Sequence, residues 1–139
     1  MDEKDEIILT TFLRNSRTPI TKIAGELGMT ETAVRKRVNK LERIGAIKAY
    51  TAIIDPYFAG FESVALVGVD ARSEKLLSVL EKITDIDEVR YAALTSGDHM
   101  LMFEVWCKTP GQLNSIIERV QKMNGVTKVC PAIFLKRVE

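Results

Sequence analysis

Over the first fifty residues the apolar positions recur at helical spacing. Ile7, Ile8, Thr11 and Phe12 follow an i, i+1, i+4, i+5 pattern, which predicts a first helix ending near Asn15. Asp2, Glu3, Asp5 and Glu6 stand at its amino end, where the helix dipole favours acidic groups. After the polar turn SRTP, Pro19 suits the opening turn of a second, short helix with Ile20, Ile23, Ala24 and Leu27 on one face and Gly28 at its end. Thr30 then suits the N-cap of a third helix that runs to Ile44 and stops at Gly45. Helix, helix, glycine-containing turn and helix in that order is the pattern of a helix-turn-helix. Beyond Gly45 the spacing becomes alternating, with Ile47, Ala49 and Thr51 interleaved with Lys48, Tyr50 and Ala52. This predicts a wing or exit strand before the breakers Asp55-Pro56.

Past the segment DPYFAGF the order strand, helix, strand occurs twice. SVALVGVD, SEKLLSVLEKIT and IDEVRYAALT form the first set; MLMFEVWC, PGQLNSIIERVQKM and GVTKVCPAIFL form the second. Leu76, Leu77, Leu80 and Ile83 give the first helix of the pair its apolar face, and Leu113, Ile116, Ile117 and Val120 the second. Leu76, Leu80 and Ile83 map onto Leu113, Ile117 and Val120 at one constant offset, so the two sets form a repeat. Two βαβ units make βαββαβ, the ferredoxin-like plan. The expected fold is therefore α+β: a winged helix-turn-helix over residues 1–52, a linker over 53–60, and a ferredoxin-like domain over 61–139. The turn SGDHM at the middle joint has the ordinary chemistry of a hairpin.

Charge sharpens the reading of the third helix. Residues 28–48 hold six Lys/Arg against Glu31 and Glu42, in a chain whose formal net charge is only +1. With Val34, Val38, Leu41 and Gly45 as the buried stripe, the opposite face carries Thr32, Lys36, Asn39 and Arg43, with Lys40 beside them. Lys36 repels Lys40, and Lys40 repels Arg43, each pair by roughly 0.2–0.5 kcal/mol, and no carboxylate on that face relieves them. Such a stripe on the third helix of a helix-turn-helix suits DNA, whose phosphates reward it through counterion release. Thr30, Thr32, Arg35, Lys36, Asn39, Lys40 and Arg43 are the candidate DNA-binding residues. Within them Thr32, Arg35 and Lys36 are expected at base edges, and Lys40 and Arg43 at phosphates. Arg35 has an intrahelical alternative in Glu31, four residues earlier. Arg37 borders the buried stripe and is expected to support packing. Thr18 and Thr21 suit either phosphate contact or local capping.

Composition adds exclusions. The chain is 46% hydrophobic and 28% charged, which suits a globular protein able to bury real cores. Cys107 and Cys130 lack metal-ligand spacing and have a single histidine, His99, for company, so two buried reduced thiols are expected. No window has the length of an apolar membrane span and the N-terminus does not resemble a signal peptide, which predicts a cytoplasmic protein without a membrane partner. No Cys-His, Ser-His-Asp or glycine-rich phosphate constellation occurs, so neither an enzyme nor a cofactor is predicted.

With these residues in hand, the chain resembles the Lrp/AsnC, or feast/famine, family of transcription regulators over nearly its whole length. The resemblance is carried by the opening DEKDEIILTTFLRNSRTPITKIAGELGMTETAVRKRVNKLERIGAIKAYTAIID and by the βαββαβ unit. IAGELG and the spacing of Val34, Arg37, Val38, Leu41, Gly45 and Ile47 stand out in it, and together, in this order and at this length, these features are specific. It implies sequence-specific binding to double-stranded DNA, homodimers built through the sheet with higher assemblies of dimers, and an effector such as an amino acid. The effector would bind near Thr95, Ser96, Gly97, Asp98, His99 and Met100. This chain has Met100 where the family usually has a second acidic residue, and His99 where it usually has an aromatic. Two other readings remain open: an architectural DNA-binding protein without an effector, and an enzyme subunit similar to the siroheme decarboxylases.

Overall fold

The computed structural model describes residues 1–136, so the last three positions of the expected second domain lie outside the described residues. The chain separates into two compact units, Met1–Ile53 and Ile54–Glu139.

The first unit is built from three helices: α1 (Glu3–Arg14), α2 (Ile20–Leu27) and α3 (Glu31–Arg43). A reciprocal capping box opens α1, the Asp2 side chain accepting from the Asp5 N–H and the Asp5 side chain from the Asp2 N–H. Pro19 stands one position before α2 as its N-cap. The turn from α2 into α3 passes through Gly28 at φ 62, a left-handed conformation that a residue with a Cβ rarely adopts. Ile8, Ile23, Ala24, Val34, Val38 and Leu41 form the core, with Leu9, Phe12, Ile20, Leu27, Met29 and Ile47 packed against it. Gly45, expected on the buried stripe, is exposed past the end of α3.

The expected wing or exit strand does not form: residues 46–54 hold no strand. A strand exists only where a neighbour completes its backbone ladder, and the sheet takes up only the strands of the second unit. Ile47 is instead fixed by its N–H, which donates to the Leu41 carbonyl at 3.0 Å, and the alternating residues after it are left exposed.

The second unit holds β1 (Ser63–Ala71), α4 (Leu76–Thr84), β2 (Val89–Leu94), β3 (Leu101–Cys107), α5 (Pro110–Gln121) and β4 (Val126–Ile133). The strands make one antiparallel sheet in the order β2-β3-β1-β4. Both helices cover one face, where Val79 and Ile83 of α4 and Leu113, Ile116, Ile117 and Val120 of α5 meet Ala65, Val67, Val69, Phe103 and Val105. Leu77, expected on the apolar face of α4, is exposed and Val79 takes its place, because Leu76, Val79, Leu80 and Ile83 stand at i, i+3, i+4 and i+7 on one side of the helix. Among the described residues no helix covers the other face, which carries Leu66 of β1, Met102 of β3, and the exposed Tyr91 and Ala132 of β2 and β4.

Both cysteines are free. Cys107 is buried and its thiol is pushed up to about 11, chiefly by that burial, with Glu88 adding repulsion. Cys130 is only half-buried, because it sits on the sheet face that no helix covers, opposite Gly68.

Candidate nucleic-acid interface and effector turn

α3 opens with Thr30, whose hydroxyl accepts the Ala33 N–H at 3.1 Å. That bond supplies one of the partners that the first turn of a helix cannot find internally. The three buried positions of α3, Val34, Val38 and Leu41, bind it to the core. Their spacing leaves Thr30, Thr32, Arg35, Lys36, Asn39, Lys40 and Arg43 all exposed. The side chains of Lys36, Lys40 and Arg43 have no ion pair among the described residues, so their mutual repulsion is uncompensated. Arg35 reaches Glu31 at only 3.9 Å, an exposed pair worth little.

The remaining charges of α3 are engaged away from that stripe. Glu42 accepts the Tyr50 hydroxyl at 2.8 Å, and Tyr50 meets the Phe12 ring edge-on at 5.8 Å. Burial, with Glu42 second, pushes the Tyr50 hydroxyl up to about 12. Arg37 donates through Nη1 to both oxygens of Asp2 at 2.8 Å and to Asp5 Oδ1 at 3.0 Å. The Arg37 hydrogen bonds hold the Asp2 carboxyl at about 2. The packing role expected for Arg37 thus takes the form of an ion-pair clamp between α3 and the start of α1. Sequence periodicity placed Arg37 at the border of the stripe, but no pattern in the chain announces that Asp2 and Asp5 face it. An open depression of about 950 Å³ runs along α3 beside Met1 and Met29 and is lined by Thr32, Lys36, Lys40 and Arg43. Thr18 is occupied locally, its hydroxyl donating to the Asn15 carbonyl at 2.7 Å.

In the second unit, Thr95 to Met100 link β2 to β3. The Thr95 N–H donates to the Met100 carbonyl at 3.0 Å and the Thr95 hydroxyl to the His99 carbonyl at 2.6 Å, which closes the turn. Gly97 does not need a left-handed backbone there. Thr95, Ser96, Gly97 and Asp98 are exposed, while His99 and Met100 are half-buried. The residue that sequence reasoning missed is Asp70 of β1. Its Oδ1 accepts the Met100 N–H and its Oδ2 meets His99 Nδ1, both at 3.1 Å. The hydrogen bond from His99 is the first cause that lowers the Asp70 carboxyl below its ordinary value. β1 and β4 fall out of register between Asp70 and Ala71, an irregularity of the kind that re-aims a side chain.

Among the described residues no helix is long and apolar enough to cross a membrane. Residues 1–42 match the AsnC-type helix-turn-helix domain, and residues 64–139 the Lrp/AsnC ligand binding domain. The chain is 49% identical to the HTH-type transcriptional regulator LrpA of Pyrococcus abyssi, covering 100% of this chain and 99% of that one. It is 47% identical, with the same coverage, to LrpA of Pyrococcus horikoshii. Among solved structures, AsnC of Escherichia coli superposes with a TM-score of 0.80 at 24% identity, covering 99% of this chain and 93% of that chain. The leucine response regulatory protein LrpA of Mycobacterium tuberculosis gives 0.82 at 22% identity, covering 100% and 95%. These two likenesses establish the fold.

Proposed function

This chain belongs to the Lrp/AsnC family and is a DNA-binding transcription regulator rather than an enzyme, and from that premise we propose how its residues divide the work. α3 enters the major groove. Thr32, Arg35 and Lys36, near its amino end, meet base edges, while Lys40 and Arg43 meet phosphates, with Asn39 between them and Thr30 at the helix start. One observation carries this reading: Lys36, Lys40 and Arg43 form an exposed cationic stripe without an ion pair among the described residues. Folding gains nothing from that repulsion, whereas a polyanion relieves it.

The second unit takes a small effector, an amino acid, at Thr95, Ser96, Gly97, Asp98, His99 and Met100. Exposed Asp98 supplies charge for an ammonium, and backbone N–H groups around Gly97 supply donors for a carboxylate. Two chains pair through the uncovered sheet face, where Leu66, Met102, Tyr91 and Ala132 offer apolar surface, and dimers join into larger assemblies. A dimer also presents two recognition helices, which a pseudo-palindromic site requires.

The test is a DNA-binding titration on the fragment upstream of the coding region and on unrelated DNA, at several salt concentrations, with and without a mixture of amino acids. Sequence-preferring binding that shifts with the mixture is the expected result. Binding with neither preference nor shift would favour the architectural reading and remove the effector.

A further inference from the structure

Asp70 engages the turn with both of its oxygens, one on the Met100 N–H and one on His99 Nδ1. An ionised carboxylate only accepts hydrogen bonds, so the proton in the second contact is carried by Nδ1. A neutral imidazole held that way has no hydrogen on Nε2 and presents a lone pair there. Lys128, facing Asp70 across β4, helps to keep that carboxylate charged.

The ring is also seated. A Cβ added to Gly68 would fall on the His99 imidazole, so β1 leaves a side chain out where the ring lies. Gly68 stands opposite Met102 on β3 and Cys130 on β4, neither of which brings a strong hydrogen-bonding group to the ring. Nε2 has no hydrogen-bond partner among the described residues and is not among their buried unsatisfied atoms. Met100 offers no carboxylate, so an accepting group for a donor ligand must come from elsewhere in the turn.

We infer that Asp70, with Gly68 as the seat of the ring, fixes His99 as the Nδ1–H tautomer, so that Nε2 is the acceptor for the ammonium group of the effector. This rests on the effector reading above and adds two residues of β1 to it. Asp70 is a positioning residue, acting on the ligand through His99, and exposed Asp98 supplies the negative charge that an ammonium requires.

His99 is the single histidine of the chain, so a long-range ¹H–¹⁵N correlation spectrum reports its two nitrogens without ambiguity. At alkaline pH the full-length protein is expected to show a protonated Nδ1 and a bare Nε2; a proton on Nε2 would overturn the inference. Asp70→Ala is expected to lose the preference while keeping DNA affinity in the absence of amino acids. Should that variant fail to fold, Asp70→Asn keeps an oxygen for the Met100 N–H but turns an amide donor toward Nδ1, so the proton is expected on Nε2 instead. The standard L-amino acids are then titrated singly, with the N-acetyl form of each that binds. Binding should move the Nε2 resonance, and N-acetylation should weaken it roughly ten-fold or more. An N-acetyl form that binds equally well overturns the ammonium assignment and leaves the effector reading standing. Binding of none of them removes the effector reading and the ligand half of the inference, while the tautomer of the free protein still decides the role of Asp70.

Discussion

Arg37 Nη1 lies 2.8 Å from each carboxylate oxygen of Asp2, so one guanidinium nitrogen ties the cap of the first helix to the middle of the third. Asp5, buried beside it, takes the same nitrogen at 3.0 Å. The contact lowers the Asp2 carboxyl from 3.8 to about 2. A carboxyl depressed in the folded state contributes stability that is present above the unfolded value and lost as pH falls through the folded one. Thermal unfolding followed by circular dichroism from about pH 5 to about pH 2 should show Arg37→Met melting below the parent protein at the upper end and converging with it at the lower. A constant difference across that range would refute the clamp.

Lys40 at a phosphate and Lys36 beside the base edges both bring positive charge to the DNA. Replacing both with Ala should flatten the dependence of log affinity on log salt by about 0.9 for each phosphate contact removed. An unchanged slope would mean that a different face of α3 meets DNA.

Thr32 separates reading from anchoring. Thr32→Ala should narrow the affinity gap between operator and unrelated DNA, with the salt slope unaltered, because a base-edge contact carries sequence information and a phosphate contact does not. Competition titrations at one salt concentration check this, and loss of affinity in equal measure on both DNAs would reassign Thr32 to the backbone.

Thr30 spends its hydroxyl on the Ala33 N–H, so its first role is to start α3. Thr30→Ala should cost about 1 kcal/mol in urea unfolding, and Thr30→Ser should restore most of it. If Thr30→Ser restores stability but not DNA affinity, the methyl group or its position matters at the DNA as well.

Tyr91 stands on the sheet face that the helices leave open. Tyr91→Arg should shift sedimentation toward the monomer while leaving helix content intact, since a charge inside a paired face is costly and on a free face is not. Unchanged sedimentation would place the contact between copies elsewhere.

Much of this protein was legible as a one-dimensional pattern. Val34, Val38 and Leu41 recur at helical spacing, and both the buried face of α3 and the exposed set from Thr32 to Arg43 follow from that spacing alone. The repeat of strand, helix and strand fixed the order of the second unit for the same reason: periodicity is a local property, set by the backbone geometry of each element. Three features could not be read this way, because each depends on what lies across from a residue. The alternation of Ile47, Ala49 and Thr51 resembles a strand, but a strand needs a partner's ladder and residues 46–54 have none among the described residues. Val79, and not Leu77, lies on the face of α4 that packs against the strands of the second unit. Arg37 with Asp2, and Asp70 with His99, join residues 35 and 29 positions apart, and side-chain contacts at that separation leave no trace in spacing. The sequence by itself determined the elements, their order and the charged face of the recognition helix, since these depend on neighbours along the chain. Only the tertiary structure decided which carboxylate meets which donor, because that depends on neighbours in space.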